Sequence, residues 1–145
     1  MKGMTVIVKK TTQLIAGMVF LYGIYVIIHG HLTPGGGFAG GVILAGSFIL
    51  LILAFGSDFI NLTKEEAGST LYENLAIIVV VFLAISGLLI GTRIFFLNWL
   101  PKGNAGELVS AGIIPLYNIF IGIEVASSIL TIFLALIIFK EEISE

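Results

Sequence analysis

The chain has 145 residues, 58% of them hydrophobic and 11% charged, with a formal net charge of −2 at pH 7. So few charges cannot cover a soluble globule of this size, and a mean hydropathy of +1.14 assigns the chain to a bilayer. With no cysteine there are no disulfides, iron-sulfur clusters or thiolate metal sites, and with no basic cluster there is no reason to expect nucleic acid as a partner.

Apolar runs of about 20 residues, the length that crosses a hydrocarbon core as helix, recur along the chain. The first is expected over residues 13–28, with Lys9 and Lys10 anchoring its start and His29 closing it. It is too long for the apolar region of a signal peptide and lacks a small-residue cleavage site, so it reads as a retained span. A short turn, His29 to Gly37, leads into a second span over 38–55, which predicts a tight antiparallel hairpin. Ser57 to Asn74 is the most polar stretch and reads as a solvent-facing connection, with Thr63 and Glu66 spaced to cap a short interfacial helix. A third span is expected over 75–97, ending in Phe95, Phe96 and, just beyond, Trp99, aromatic residues that favour the headgroup boundary. The last apolar region is interrupted by Gly112 and Pro115, which sets the start of a fourth span at about 116 and its end at 139. The predicted fold is all-α: an integral membrane bundle of four transmembrane helices, forming a single membrane domain over 1–145 with a tight hairpin between the first two.

Lys2, Lys9, Lys10, Lys64 and Lys140 fall on one side of this topology, against Lys102 and Arg93 on the other. The positive-inside rule therefore places both termini in the cytoplasm of a multi-pass cell-membrane protein and turns the histidine-glycine loop outward.

Glu124 is the sharpest candidate for chemistry. An ionised carboxylate at the centre of a span costs about 2.5–3.5 kcal/mol on insertion scales, so it needs a partner or a proton. It is either a proton or sodium relay or a structural carboxyl bonded to a neighbouring subunit. Arg93, near the outer end of the third span, is a possible partner at similar depth. His29 and His31 carry the side chain whose charge changes nearest physiological pH. Two residues apart, they diverge on a helix and do not form a shared metal site. His29 serves either to cap loose carbonyls or to pass protons, and His31 stands open between a structural role and a proton path. Asp58 and Glu73 border the cytoplasmic ends of their spans, where solvation is the plain alternative to a place on an ion path.

Gly35, Gly36 and Gly37 resemble a phosphate loop only superficially, because no Lys-Ser/Thr follows. Pro34 fixes the start of a turn, the glycines free its backbone, and Gly40 and Gly41 supply a small face for close helix packing. No catalytic residue and no metal site is expected, and no cofactor in this chain.

The segment His29-Gly30-His31-Leu32-Thr33-Pro34-Gly35-Gly36-Gly37-Phe38-Ala39-Gly40-Gly41 resembles the signature of the B subunit (MnhB/MrpB-like) of Mrp-type multisubunit sodium/proton antiporters. The similarity covers the whole chain, including Pro115-Leu116 before a last helix and the acidic tail at Glu141 and Glu142. Two departures stand out: Ala39 where the family commonly has Gln, and Asn118 in a stretch that often carries an acid soon after Pro-Leu. The resemblance implies a hetero-oligomer with other Mrp-like membrane subunits in the lipid bilayer, with Na+ and H+ as transported ions. It also implies two settings: a plain antiporter, or the Mrp-like module of a respiratory complex with hydrogenase or sulfur-reductase subunits, which the departures favour. Three roles compete: a share in the ion path, a purely structural scaffold, and a stand-alone exchanger of the small multidrug type.

Overall fold

A computed structural model describes residues 3–56 and 62–144. It contains four helices: α1 Val6–Ile28, α2 Gly37–Phe55, α3 Leu62–Leu89 and α4 Ile114–Ser144. Each holds a segment long and apolar enough to cross a membrane, and that of α3 covers Glu66–Leu89. The expected all-α membrane bundle is what forms. Asp58 lies outside the described residues.

α2 and α4 pack together at the centre, α1 packs on α2, and α3 packs on α4. The Met4 N–H donates to the Ala54 carbonyl at 2.9 Å, while Gly23 meets Gly40 far along the pair, so α1 and α2 run in opposite directions. α2 and α4 run the same way, because the start of α2 lies against Asn118 while Ile52 packs on Leu134 and Ile137. The bundle therefore has a loop end, formed by residues 29–36 and 90–113, and a terminal end where α1 begins and α4 finishes. Ile52, Leu134 and Ile137, flanked by Leu130 and Phe133, make a small apolar core toward the terminal end.

Two boundaries depart from expectation. The described part of α3 begins at Leu62, so the expected interfacial helix and the third span are one continuous helix that includes Thr63. Lys64, Glu65, Glu66 and Ala67 are strong helix formers with no proline among them, so polarity there does not interrupt the helix. The same helix stops at Leu89, not 97, because Gly91 adopts φ 89°. The Gly91 N–H reaches Leu88 O at 3.1 Å and the Thr92 N–H reaches Gly87 O at 3.3 Å, the paired bonds of a Schellman stop. The aromatic run then doubles back on α3: the Phe96 N–H donates to Ala84 O at 3.0 Å and the Trp99 indole N–H to Ser86 Oγ at 2.8 Å. At α4, Pro115 sits in the first turn, where its missing N–H is not needed.

Candidate functional site

The loop end is built from glycine. Gly36 takes φ 109°, a backbone conformation that disfavours side chains, as it turns the chain into α2. Directly beyond it, α2 approaches its neighbours closely enough to exclude even a methyl group. A Cβ at Gly40 would stand 2.9 Å from the Gly23 carbonyl oxygen of α1, and one at Gly41 would stand 2.7 Å from the Gly122 carbonyl oxygen of α4. Three helices thus cross on backbone contacts, as small-residue faces allow within membranes. Gly37, Gly40 and Gly41 are the α2 residues at these close approaches.

Asn118 ties α4 into the same knot. Its Oδ1 accepts from the Gly37 N–H at 3.4 Å, occupying one of the free donors at the start of α2. Its side chain also stands against Gly30 and Gly36. Sequence reasoning recorded Asn118 as a missing acid. Its signal was there nonetheless, as a polar residue four positions into an apolar helix.

The two histidines have different partners, and neither lies within a helix. His29 closes α1: its Nδ1 is 3.0 Å from Tyr25 O, and its ring stacks on Tyr25 with centroids 4.1 Å apart. The Leu32 and Thr33 N–H groups bind back to its carbonyl at 2.8 and 2.9 Å. His31 reaches the other loop, with Nε2 3.4 Å from Glu107 O. A carbonyl only accepts, so Nε2 is the donor in this contact, and the other ring nitrogen is Nδ1. That Nδ1 is buried without a hydrogen-bond partner, as are Tyr117 OH and Asn118 Nδ2. Among the described residues, these three orphaned atoms all lie at the loop end. Buried polar atoms are paired as a rule, so their clustering singles out this end.

The second polar region is the seam between α3 and α4. The Ser69 and Thr131 hydroxyls meet at 2.7 Å, and Thr131 Oγ1 donates to Ser127 O at 2.9 Å. Ser69 and Ser127 also line a cavity of about 260 Å³ with Phe48, Gly68 and Tyr72. Glu124 is half-buried and receives the Ser128 hydroxyl at 3.4 Å. Seven residues before Thr131 and seven after Tyr117, Glu124 shares their side of α4. Glu73 stands one turn beyond Ser69, within the apolar segment Glu66–Leu89 of α3. Counted from the Ser69 and Thr131 contact along antiparallel helices, Glu73 and Glu124 sit at levels about 4–5 Å apart. Sequence reasoning placed Ser69 in a solvent-facing connection and overlooked it together with Thr131.

Arg93 falls in the segment beyond α3, exposed, and no ion pair joins it to Glu124 among the described residues. The Schellman stop that ends α3 early removes it from the span. Among the described residues no three His, Asp or Glu side chains group as a metal site.

The family model for the domain related to the MnhB subunit of Na+/H+ antiporter matches residues 7–131. The chain belongs to the MnhB family. Among its relatives, an uncharacterised protein of Methanocaldococcus jannaschii is 33% identical over 134 residues, covering 88% of this chain and 50% of that protein. A putative antiporter subunit mnhB2 of Staphylococcus epidermidis is 44% identical over 55 residues, 38% of this chain and 39% of the relative. Among solved structures, a chain of the membrane-bound sulfane sulfur reductase, an archaeal respiratory membrane complex, superposes with a TM-score of 0.73 at 35% identity. That match covers 89% of this MnhB-family chain and 56% of the other. The chain thus spans about half the length of the Methanocaldococcus jannaschii protein and of the sulfane sulfur reductase chain.

Proposed function

We propose that this MnhB-family chain is a non-redox membrane subunit of a multisubunit sodium/proton antiporter module housed in an energy-converting respiratory complex of the hydrogenase or sulfur-reductase type. There it contributes the α3–α4 seam to a cation or proton path. Glu124 carries the reading: a half-buried carboxylate inside a spanning helix, with one hydroxyl at 3.4 Å and no charged partner among the described residues. Such a group holds a proton or meets a cation, because leaving it charged and bare in hydrocarbon is costly. Polar groups extend from it in both directions: Tyr117 toward the loop end, where His31 Nδ1 is buried without a hydrogen-bond partner among the described residues, and Ser128, Thr131 and Ser69 toward the terminal end. Glu73 supplies a second carboxyl on the facing helix. The match to a respiratory complex supports the setting, and a sequence without cysteine suits a subunit whose partners hold the redox centres. The lysine and arginine distribution supports cytoplasmic termini.

The test is sodium-dependent proton transport by the assembled complex in vesicles. Glu124→Gln is expected to lower coupling at least tenfold while the complex purifies intact, with Glu124→Asp restoring part of it. Wild-type coupling in Glu124→Gln would defeat the proposal. The scaffold reading draws on a different observation, the backbone crossing of α1, α2 and α4, and predicts that Glu124→Gln changes only the yield of complex.

A further inference from the structure

A serine in an apolar environment commonly satisfies its hydroxyl on nearby backbone. Four of the five buried serines among the described residues do so: Ser47 Oγ donates to Leu44 O, Ser69 to Glu66 O, Ser86 to Leu83 O and Ser110 to Glu107 O. Ser127 is the exception. It is 9% exposed, yet its hydroxyl has no hydrogen-bond partner among the described residues, and it lines the cavity of about 260 Å³ between α2, α3 and α4.

The hydrogens of the neighbouring pair are already committed. Thr131 gives its only one to Ser127 O, so Ser69 supplies the hydrogen in the 2.7 Å contact between the two hydroxyls, sharing it with Glu66 O. Ser69 Oγ therefore keeps a lone pair that no donor among the described residues serves, and it too lines the cavity. The guest that suits these walls donates to Ser69 and exchanges hydrogen bonds with Ser127. An acyl tail or an aliphatic side chain does neither and would leave Ser127 bare. A sodium ion would meet the two oxygens, but the rest of the lining, with Phe48, Tyr72, Ala126 and Leu130, offers it no carboxylate. Water fits, with two hydrogens and two lone pairs, and the cavity has room for several molecules.

The way in is short. Glu66 opens the apolar segment of α3 at the terminal end, and Ser69 lies one turn beyond it. On the other side of the cavity, Glu124 stands one turn from Ser127 along α4. We infer that this cavity is a water-binding site, anchored by Ser127 and Ser69 and filled from the terminal end, that brings solvent protons to within one helical turn of Glu124. Its use in transport rests on the reading of Glu124 above; its hydration does not.

Because the chain has no cysteine, an introduced thiol is unique within it. Ala126→Cys places one on the cavity wall, one residue from the middle of the apolar segment Ile114–Lys140, where headgroups do not reach. The thiolate is the reactive form and forms only where water solvates it. Its rate with 2-hydroxyethyl methanethiosulfonate, measured on the assembled complex in native membranes by the mass of the labelled peptide, therefore reads hydration. Ala126→Cys is expected to react at least tenfold faster than Gly46→Cys, at the middle of α2, outside the cavity and with open space around its Cβ position. Adding Ser127→Val should slow the reaction at least tenfold, whereas Ser127→Thr, of the same shape but with a hydroxyl, should keep most of it. Equal rates for Ala126→Cys and Gly46→Cys would overturn the inference, as would equal rates with Ser127→Val and Ser127→Thr. Protection of the thiol by sodium chloride but not by potassium chloride would overturn it too, by putting a cation in the place of water. A reactive Ala126→Cys beside wild-type coupling in Glu124→Gln would support the water site and defeat the transport reading alone.

Discussion

α4 meets α2 and α3 in opposite ways. Against α2 the contact is backbone to backbone at Gly41 and Gly122, with Val125 beside them and no side-chain hydroxyl at the crossing. Against α3 it is hydroxyl to hydroxyl, Thr131 to Ser69, with Glu124 on the same side of the helix and a cavity of about 260 Å³ alongside. The first seam cannot admit a methyl group; the second leaves room for water-sized guests. Such a division suits a subunit that holds one helix pair fixed so that the other pair can present a protonatable group at a set depth.

The comparison is broken most forcefully from the glycine side. Gly41→Leu drives a branched side chain into the Gly122 carbonyl and is expected to destabilise the chain by about 3 kcal/mol, the upper end for overpacking, or to abolish folding. Unfolding in bicelles by steric trapping measures it, and wild-type stability would mean that α2 and α4 can slide apart freely. Asn118→Ala removes the acceptor of the Gly37 N–H, which should cost about 1 kcal/mol in the same assay. Gly46→Ala sharpens the contrast from the other direction: nothing lies within 4 Å of its Cβ position, so the isolated chain should gain up to about 0.8 kcal/mol of helix stability. The smallest effect is expected in the polar seam, where Ser69→Ala removes one interhelical hydrogen bond worth about 0.6 kcal/mol. A much larger loss there would mean that the seam is structural after all.

Much of this was legible in the residues, and the failures have physical causes. α1, α2 and α4 follow from apolar length and from proline and glycine punctuation, with Val6 in place of residue 13 the main shift, because a helix continues through lysines that reach the headgroups. α3 was misread at both ends. Hydropathy runs on through Ile90 and Ile94 to Leu97, whereas the helix ends on the backbone conformation of Gly91, a signal that apolar content does not carry. At the other end, polarity suggests a short interfacial helix apart from the span, whereas these helix-favouring residues run straight into it. Glu124 stood out as a carboxylate in an apolar run. Asn118, Ser69 and Thr131 did not, because Ser, Thr and Asn in apolar helices commonly bond their own backbone, as Thr70 does to Glu66 O at 3.0 Å. Their partners on other helices become visible only once the register is known.

The contact between Gly37 and Asn118 joins residues 81 positions apart. At about 5–20 residues per second of synthesis, Asn118 follows Gly37 by roughly 4–16 s. During that interval α1 and α2 can already pair, while the glycine face that awaits α4 has only lipid or a neighbouring protein to lie against. The joint between α2 and α4 thus stays open until the last helix is made, and the order in which helices leave the ribosome determines when this chain can present a finished surface to its assembly.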